Sequence, residues 1–301
     1  MDYTELKKLM SEQKVEMTAA ERIKAYNEGK EVDHIPYTLQ APDPAMADIF
    51  GFTTSQFAKD FEVKSEVIRR RKEEFGLDSF NVGLGLRTIG VALGSKLGVP
   101  EHGIDYIEHH VLQDYADFDK LEVTDPYKNP VLAPILESAK RLKERFPDVS
   151  MTTSVAGPIS TAIAVRPVEK VLRDTRKNPE MLHKLLDLTV VCSLKWFEAF
   201  YHEFGSVGTN FSDPVTCMDV ISKKQFDEFS LPYIKKLIDG TEKIMGSRPG
   251  AHICGKTSLF GVILQMQVYF HSVSIIARIW RLLSVRWVTG CALPEMFRRS
   301  K

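Results

Sequence analysis

The sequence predicts an α/β protein built as a TIM (β/α)8-type barrel. Helical segments alternate with short apolar strands along most of the 301 residues, which is typical of parallel βαβ units. Several of these strands end in small or polar residues, as the active-site ends of barrel strands do. No internal repeat or low-complexity linker divides the chain, so we expect a single domain over residues 1–301.

The predicted helices place apolar residues at helical spacing among charged ones. They cover residues 3–28, 63–75, 131–146, 167–204 and 222–246. Gly29 follows the first of these helices and Pro147 follows the third, and both residue types favour the end of a helix.

The predicted strands are short apolar runs that lie between the helices. They cover residues 32–37, 77–82, 149–155, 207–211 and 249–254. The stretch 83–112 is Gly-rich and then alternates around Tyr106, which predicts a β-rich excursion. Because strands and helices alternate, we expect the chemistry at the C-terminal ends of the strands.

Composition excludes several classes of function. The chain has 40 Lys+Arg against 40 Asp+Glu and is 44% hydrophobic, which is ordinary for a soluble globular protein. This balance does not support binding to nucleic acid, which usually needs a basic surface. The uncharged stretch 257–277 is long enough to span a membrane, but its Gln, His, Ser and Thr residues argue against a span.

The cysteines and the polar start of the chain indicate a cytoplasmic protein. Four Cys are too few for a disulfide framework. The first eight residues, Met1 to Lys8, are too polar for a secretory signal. We therefore expect reduced thiols.

The sharpest local motif is His252-Ile253-Cys254 at the end of the last predicted strand. Residues two apart on a strand point to the same face, so this imidazole and this thiolate can bind one ion. Zinc suits the pair because it accepts both nitrogen and sulfur donors. Taken alone, the motif also fits a buried His and a Cys that packs in the core.

Two other strand ends carry candidate site residues. Asp213 follows the predicted strand 207–211 and precedes Pro214, so it can orient a ligand, accept a proton or cap a turn. The run from Ser154 to Gly157 has small side chains, which would let a ligand approach the backbone. The same run also fits a tight turn.

Taken together, these motifs resemble the uroporphyrinogen decarboxylase superfamily, whose members are TIM barrels. The resemblance covers residues 18–260 and rests on the order and spacing of five motifs. These are Glu21-Arg22-Ile23, Val32-Asp33-His34-Ile35-Pro36, Val155-Ala156-Gly157-Pro158, Phe229-Ser230-Leu231-Pro232-Tyr233 and His252-Ile253-Cys254-Gly255.

Within this superfamily the chain is more similar to the methyltransferases than to the decarboxylase. The decarboxylase has Arg-Gln-Ala-Gly-Arg after its first strand, whereas this chain has Leu39-Gln40-Ala41-Pro42-Asp43 without either Arg. Those arginines bind substrate carboxylates. Asn81 also stands where the decarboxylase has an Asp that faces the pyrroles. A decarboxylase acting on porphyrinogens remains the alternative function.

The resemblance implies a zinc-dependent methyltransferase. His252 and Cys254 would bind zinc together with a later Cys, and Asp213 would line the pocket with Asn81, Ser154 and Gly157. The donor would be methylcobalamin on a partner corrinoid protein. The acceptor would be a small thiol such as coenzyme M, or a folate. Zinc would present the acceptor as a thiolate nucleophile.

Residues 262–301 do not fit the family, so we expect a barrel that is incomplete at its C-terminus. This tail carries six Lys+Arg and one acid, and it lacks the Gly-Asp-Arg and Gly-Asn-Val motifs of the family. If the possible codons of this tail are read with a shift of two bases, the Gly of the first motif and the Val of the second are each the only residue that can be encoded at its position. We therefore predict a frame-shifted tail, in which Cys291 only imitates the missing ligand. A truncated, inactive remnant of the family is the non-enzyme alternative.

Overall fold

The structure is a computed structural model of the chain. It describes residues 43–75, 79–100, 105–257 and 269–270, and shorter pieces of the first 33 residues: 8, 16–17, 21–22, 25–26 and 28–33. The chain divides into two compact units, residues 1–42 with 276–301 and residues 43–275.

In the first unit, an ion pair joins two of the motifs found in the sequence. The Arg22 guanidinium donates a hydrogen bond of 2.9 Å to Asp33 Oδ2, and both side chains are nearly buried. The same carboxylate accepts hydrogen bonds from the backbone N–H groups of Glu16 and Met17. The predicted helix 3–28 and strand 32–37 lie mostly outside the described residues.

The second unit contains a five-stranded sheet in which every described pair of neighbours is parallel. Its strands, in sheet order, are β1 (Ser79–Asn81), β4 (Ser150–Ala156), β5 (Gly208–Ser212), β6 (Gly250–His252) and β7 (Tyr269–Phe270). Two further strands, β2 (Lys96–Gly98) and β3 (Tyr106–His109), form a separate antiparallel pair. The sheet order follows the chain order, as in the wall of a TIM barrel, so the α/β prediction is confirmed.

Helices connect these strands. They are α1 (Asp43–Ile49), α2 (Thr54–Lys59), α3 (Phe61–Phe75), α4 (Thr88–Ala92), α5 (Leu132–Arg145), α6 (Pro158–Val165), α7 (Val168–Lys177), α8 (Pro179–Phe204), α9 (Lys223–Gln225) and α10 (Leu231–Met245). A 3-10 helix covers Tyr115–Lys120 and a π-helical turn covers Phe226–Ser230. None of the described helices has the length and apolar character needed to cross a membrane.

Two predicted helices are interrupted, in both cases beside a proline. The segment 167–204 is two helices, α7 and α8, which separate at Asn178 because the ring of Pro179 disfavours helical geometry in the residue before it. The segment 222–246 contains the π-helical turn, where the Leu231 N–H bonds to the Phe226 carbonyl. Pro232 follows directly and has no N–H to continue the regular ladder.

The β-rich excursion predicted over 83–112 is only partly correct. The antiparallel pair β2–β3 is present, but the Gly-rich part leads into the short helix α4. Gly90 lies in this helix, and a Cβ there would lie 2.5 Å from the Ala164 carbonyl oxygen of α6. Helix α4 therefore packs directly against α6.

One face of the sheet packs against the helices and forms the core. Its side chains are buried and mostly apolar, namely Phe80, Met151, Thr153, Val155, Thr209, Phe211, Ala251 and Ile253. The fully buried Trp196 of α8 donates its indole N–H to Thr153 Oγ1 at 2.9 Å, and Thr153 donates in turn to the Val82 carbonyl at 2.8 Å. This chain of hydrogen bonds satisfies the Trp196 indole N–H and the Thr153 hydroxyl, which are both buried in the core.

The opposite face of the sheet is polar. Strand register places Asn81 beside Thr152, Ser154 beside Asn210, and Ser212 beside His252. These six side chains are half-buried or exposed. Barrel interiors are usually filled by branched apolar residues, so this polar inner face suits a bound ligand better than a packed core.

Candidate metal and ligand site

His252 and Cys254 come together at the carboxyl end of β6. His252 is the last residue of the strand, and Cys254 follows on the same face while Ile253 between them is buried in the core. His252 Nε2 and Cys254 Sγ lie 3.0 Å apart. Both side chains are half-buried on the polar side of the sheet, which leaves them accessible to an ion.

Burial sets the protonation of this pair. It lowers the pKa of His252 from its usual value, which favours a neutral imidazole with a free lone pair. It also raises the pKa of Cys254, and the neighbouring Cys217 adds to that rise. A metal ion at this position would therefore have to displace the thiol proton.

The described residues bring together two candidate metal ligands and not a complete set. Among them, no three His, Cys, Asp or Glu side chains are grouped closely enough to hold an ion. The chemistry of the two donors fits zinc, since imidazole nitrogen and thiolate sulfur are its common ligands. A third ligand would come from outside the described part of the chain, where Cys291 also lies.

Asp213 lies at the end of β5 and caps helix α6. Its fully buried carboxylate accepts hydrogen bonds from the backbone N–H of Ile159 at 3.3 Å, and from the backbone and hydroxyl of Ser160 at 2.9 and 2.6 Å. Burial raises the pKa of Asp213. The hydrogen bonds from Ile159 and Ser160, and a further one from Thr216, oppose this rise. The backbone N–H of Asp213 also donates to the His252 carbonyl at 2.9 Å.

Gly157 provides the room that Asp213 needs. A Cβ at position 157 would lie 2.4 Å from the Asp213 Cβ, which no side chain could tolerate. Gly157 is buried, and its open side is filled by the Asp213 carboxylate. The structure thus gives this glycine a packing role at the strand end.

Asn81 and Ser154 are joined across the ends of β1 and β4. The Ser154 hydroxyl donates to Asn81 Oδ1 at 3.0 Å, and Asn81 Nδ2 donates to Thr152 Oγ1 at 3.0 Å. A Cβ at Gly83 would lie 2.2 Å from Ser154 Oγ, so the glycine leaves space for this pair. Both side chains face the polar side of the sheet, on which β5 separates them from His252 and Cys254 at the end of β6.

Asn210 and Ser212 belong to this polar surface, and motif reasoning missed them. Both side chains point to the polar face of the sheet, as do Ser154 and His252, their partners on the neighbouring strands. No hydrogen bond joins either side chain to another described group. The alternation of polar and apolar residues along Gly208–Ser212 was the sequence signal that could have revealed them.

Comparison with known proteins places the chain near methyltransferases. It is 23% identical over 252 residues to the methylcobamide:CoM methyltransferase MtaA of Methanosarcina barkeri (strain Fusaro / DSM 804), covering 81% of this chain and 71% of that protein. A second Methanosarcina barkeri protein of the same name is 22% identical over 247 residues, with the same coverage. These similarities agree with the methyltransferase branch that the sequence motifs indicated.

A solved structure supports the fold. A methyltransferase from Methanosarcina mazei superposes with a TM-score of 0.65 at 21% identity, covering 80% of this chain and 71% of that one. The family described as uroporphyrinogen decarboxylase (URO-D) matches residues 18–277, which reaches into the segment predicted to be aberrant. The chain therefore belongs to the uroporphyrinogen decarboxylase family.

Proposed function

We propose that this protein is a zinc-dependent methyltransferase that moves a methyl group from a methylated corrinoid protein to a small thiol or folate acceptor. The observation that carries the proposal is the 3.0 Å approach of His252 Nε2 to Cys254 Sγ. It occurs at the strand end where barrel enzymes hold their reactive groups, in a chain similar to methylcobamide:CoM methyltransferases.

In this proposal, His252 and Cys254 hold the zinc ion. Zinc bound there would lower the pKa of an acceptor thiol and keep it as the thiolate. Helix α6 and its cap at Asp213 fix the end of β5, and the Asp213 N–H holds the His252 carbonyl in place. Asp213 thus acts on the site by positioning it.

The polar inner face would bind the acceptor. Ser154 and Asn81 are already oriented by hydrogen bonds, whereas Asn210 and Ser212 are free to donate to a ligand. A small acceptor with a polar end could lie along this surface with its sulfur at the metal. Coenzyme M, which appears in the names of the relatives, has that form.

Methyl transfer from methylcobalamin to 2-mercaptoethanesulfonate tests the proposal directly. We expect zinc-loaded protein to catalyse the transfer and Cys254→Ser to lose both zinc and activity. Cys192→Ala, at a free Cys buried in the core, is the matched control and should retain both. Tetrahydrofolate as acceptor and uroporphyrinogen as substrate test the alternatives. Insoluble or zinc-free wild-type protein would instead support the inactive remnant.

A further inference from the structure

The turn that follows Cys254 is held by the loop between β5 and α9, residues 213–222. The Met218 N–H of this loop donates to the Lys256 carbonyl at 2.9 Å. In the other direction, the Lys256 N–H donates to the Asp219 carboxylate Oδ2 at 3.0 Å. With the Asp213–His252 bond, these contacts fix the chain on both sides of Cys254.

Asp219 lies directly against the glycine of that turn. Gly255 has a φ of +78°, in the left-handed region, and a Cβ there would lie 2.9 Å from Asp219 Oδ2. The carboxylate therefore occupies the space above the Gly255 α-carbon. A glycine at 255 permits both the backbone conformation and this close approach.

The ion pair of Asp219 restrains the turn after Cys254 less than its hydrogen bond to the backbone does. Asp219 Oδ1 lies 3.2 Å from Lys256 Nζ, but the two side chains are 44% and 58% exposed. Water screens the attraction between two charges that are so exposed, so this ion pair contributes little to the order of the turn. The bond to the Lys256 N–H is the contact that restrains the backbone two residues after the thiol.

We propose that Asp219 is a positioning residue for the His252–Cys254 metal site. By accepting from the Lys256 N–H and covering Gly255, it fixes the turn that keeps the Cys254 thiol beside the His252 imidazole. The inference rests on the proposed function, because it assigns a role toward the same metal. Groups that orient metal ligands from outside usually change metal affinity by about 10- to 100-fold when removed.

Zinc affinity of the purified full chain, measured by competition with a chromogenic chelator, tests this role. We expect Asp219→Ala to weaken zinc binding by about 10- to 100-fold. Asp219→Asn keeps an acceptor oxygen, and Lys256→Ala keeps the backbone N–H, so both should bind zinc within a few-fold of wild type. Asp187→Ala removes a similar surface ion pair, with Lys236, and is the matched control with unchanged affinity.

A second pair of variants separates position from charge. Asp219→Glu keeps the charge but moves the carboxylate, so we expect it to weaken zinc binding although Asp219→Asn does not. Cobalt(II) substitution adds a readout, since the thiolate-to-cobalt absorption should weaken only in Asp219→Ala and Asp219→Glu. If Asp219→Ala does not fold, the Glu and Asn variants decide, because both keep a polar side chain at this exposed position.

The outcomes distinguish this inference from the proposed function. Wild-type zinc affinity in folded Asp219→Ala, or equal losses in the Glu and Asn variants, would overturn the positioning role alone. Wild-type protein that binds no zinc, or zinc binding that survives Cys254→Ala, would overturn the metal site itself. A loss confined to Asp219→Ala and Asp219→Glu supports the role.

Discussion

His252 Nε2 lies 3.0 Å from Cys254 Sγ because the two residues leave β6 on the same face, with Ile253 turned into the core between them. This spacing along the strand brings a nitrogen donor and a sulfur donor together without any contact between distant parts of the sequence. Cys254 lies beyond the end of β6, so the strand itself does not hold the Cys254 thiol close to the His252 imidazole. The neighbouring loop supplies that restraint through Asp213, Met218 and Asp219.

Removing zinc should lower the stability of the folded protein. An ion that binds only the folded state stabilises it by about 2.7 kcal/mol when its free concentration is 100 times the Kd. We therefore expect a chelator to lower the Tm of wild-type protein and to leave the Tm of Cys254→Ala unchanged. Calorimetry with and without chelator measures this, and equal shifts in both proteins would contradict zinc binding at Cys254.

Removing the hydrogen-bonding groups of the inner face should weaken acceptor binding more than turnover. Ser154→Ala and Asn210→Ala each remove a polar group from the surface where we expect the acceptor to lie. We expect KM for the thiol to rise by about 2- to 12-fold, the value of one hydrogen bond, with kcat less affected. Steady-state kinetics check this, with Asn178→Ala, between α7 and α8, as a control. An unchanged KM would place the acceptor elsewhere.

The sequence predicted the sheet better than it predicted the site. Alternating apolar runs located β1, β4, β5 and β6, because burial against the helices dictates that pattern. Motif reasoning found His252 and Cys254, which are close in the chain. It could not find Asp219, because its contact with Lys256 spans 37 residues and depends on how two loops meet. The tail beyond residue 270 lies outside the described residues, so its frame-shifted origin stays a prediction.

Loss of the Asp213 side chain should destabilise the protein through helix α6. Asp213→Ala removes the acceptor for the N–H groups of Ile159 and Ser160, two buried residues. Loss of such a cap costs about 1–2 kcal/mol. Urea denaturation should show this decrease in the free energy of unfolding. Asp227→Ala, at an exposed pair with Lys223, should change it far less, and equal losses would contradict the capping role.

The ion pair between α5 and α8 should make stability depend on pH. Lys140 lies 2.8 Å from Glu203 and holds the pKa of that carboxyl below its usual value. The unfolded carboxyl has a pKa of about 4.3, so the stabilisation is complete well above that pH and is lost as the pH falls through the lower folded pKa. We expect Glu203→Gln to cost about 0.5 kcal/mol at pH 7 and less near pH 3. Denaturation at both pH values measures the difference, and a constant difference would contradict it.

The turn at Gly255 should be more sensitive to substitution than a similar turn elsewhere. Gly255 and Gly246 both have a positive φ, of +78° and +74°, so an Ala at either position costs about 1–2 kcal/mol in backbone strain. Only at 255 would the new Cβ meet neighbours, at 2.9 Å from Asp219 Oδ2 and 3.0 Å from Cys217 Sγ. We therefore expect Gly255→Ala to lower the free energy of unfolding further than Gly246→Ala and to weaken zinc binding, whereas Gly246→Ala leaves zinc binding intact. Thermal unfolding and zinc titration of the two variants test this, and equal effects would show that the contact with Asp219 does not matter.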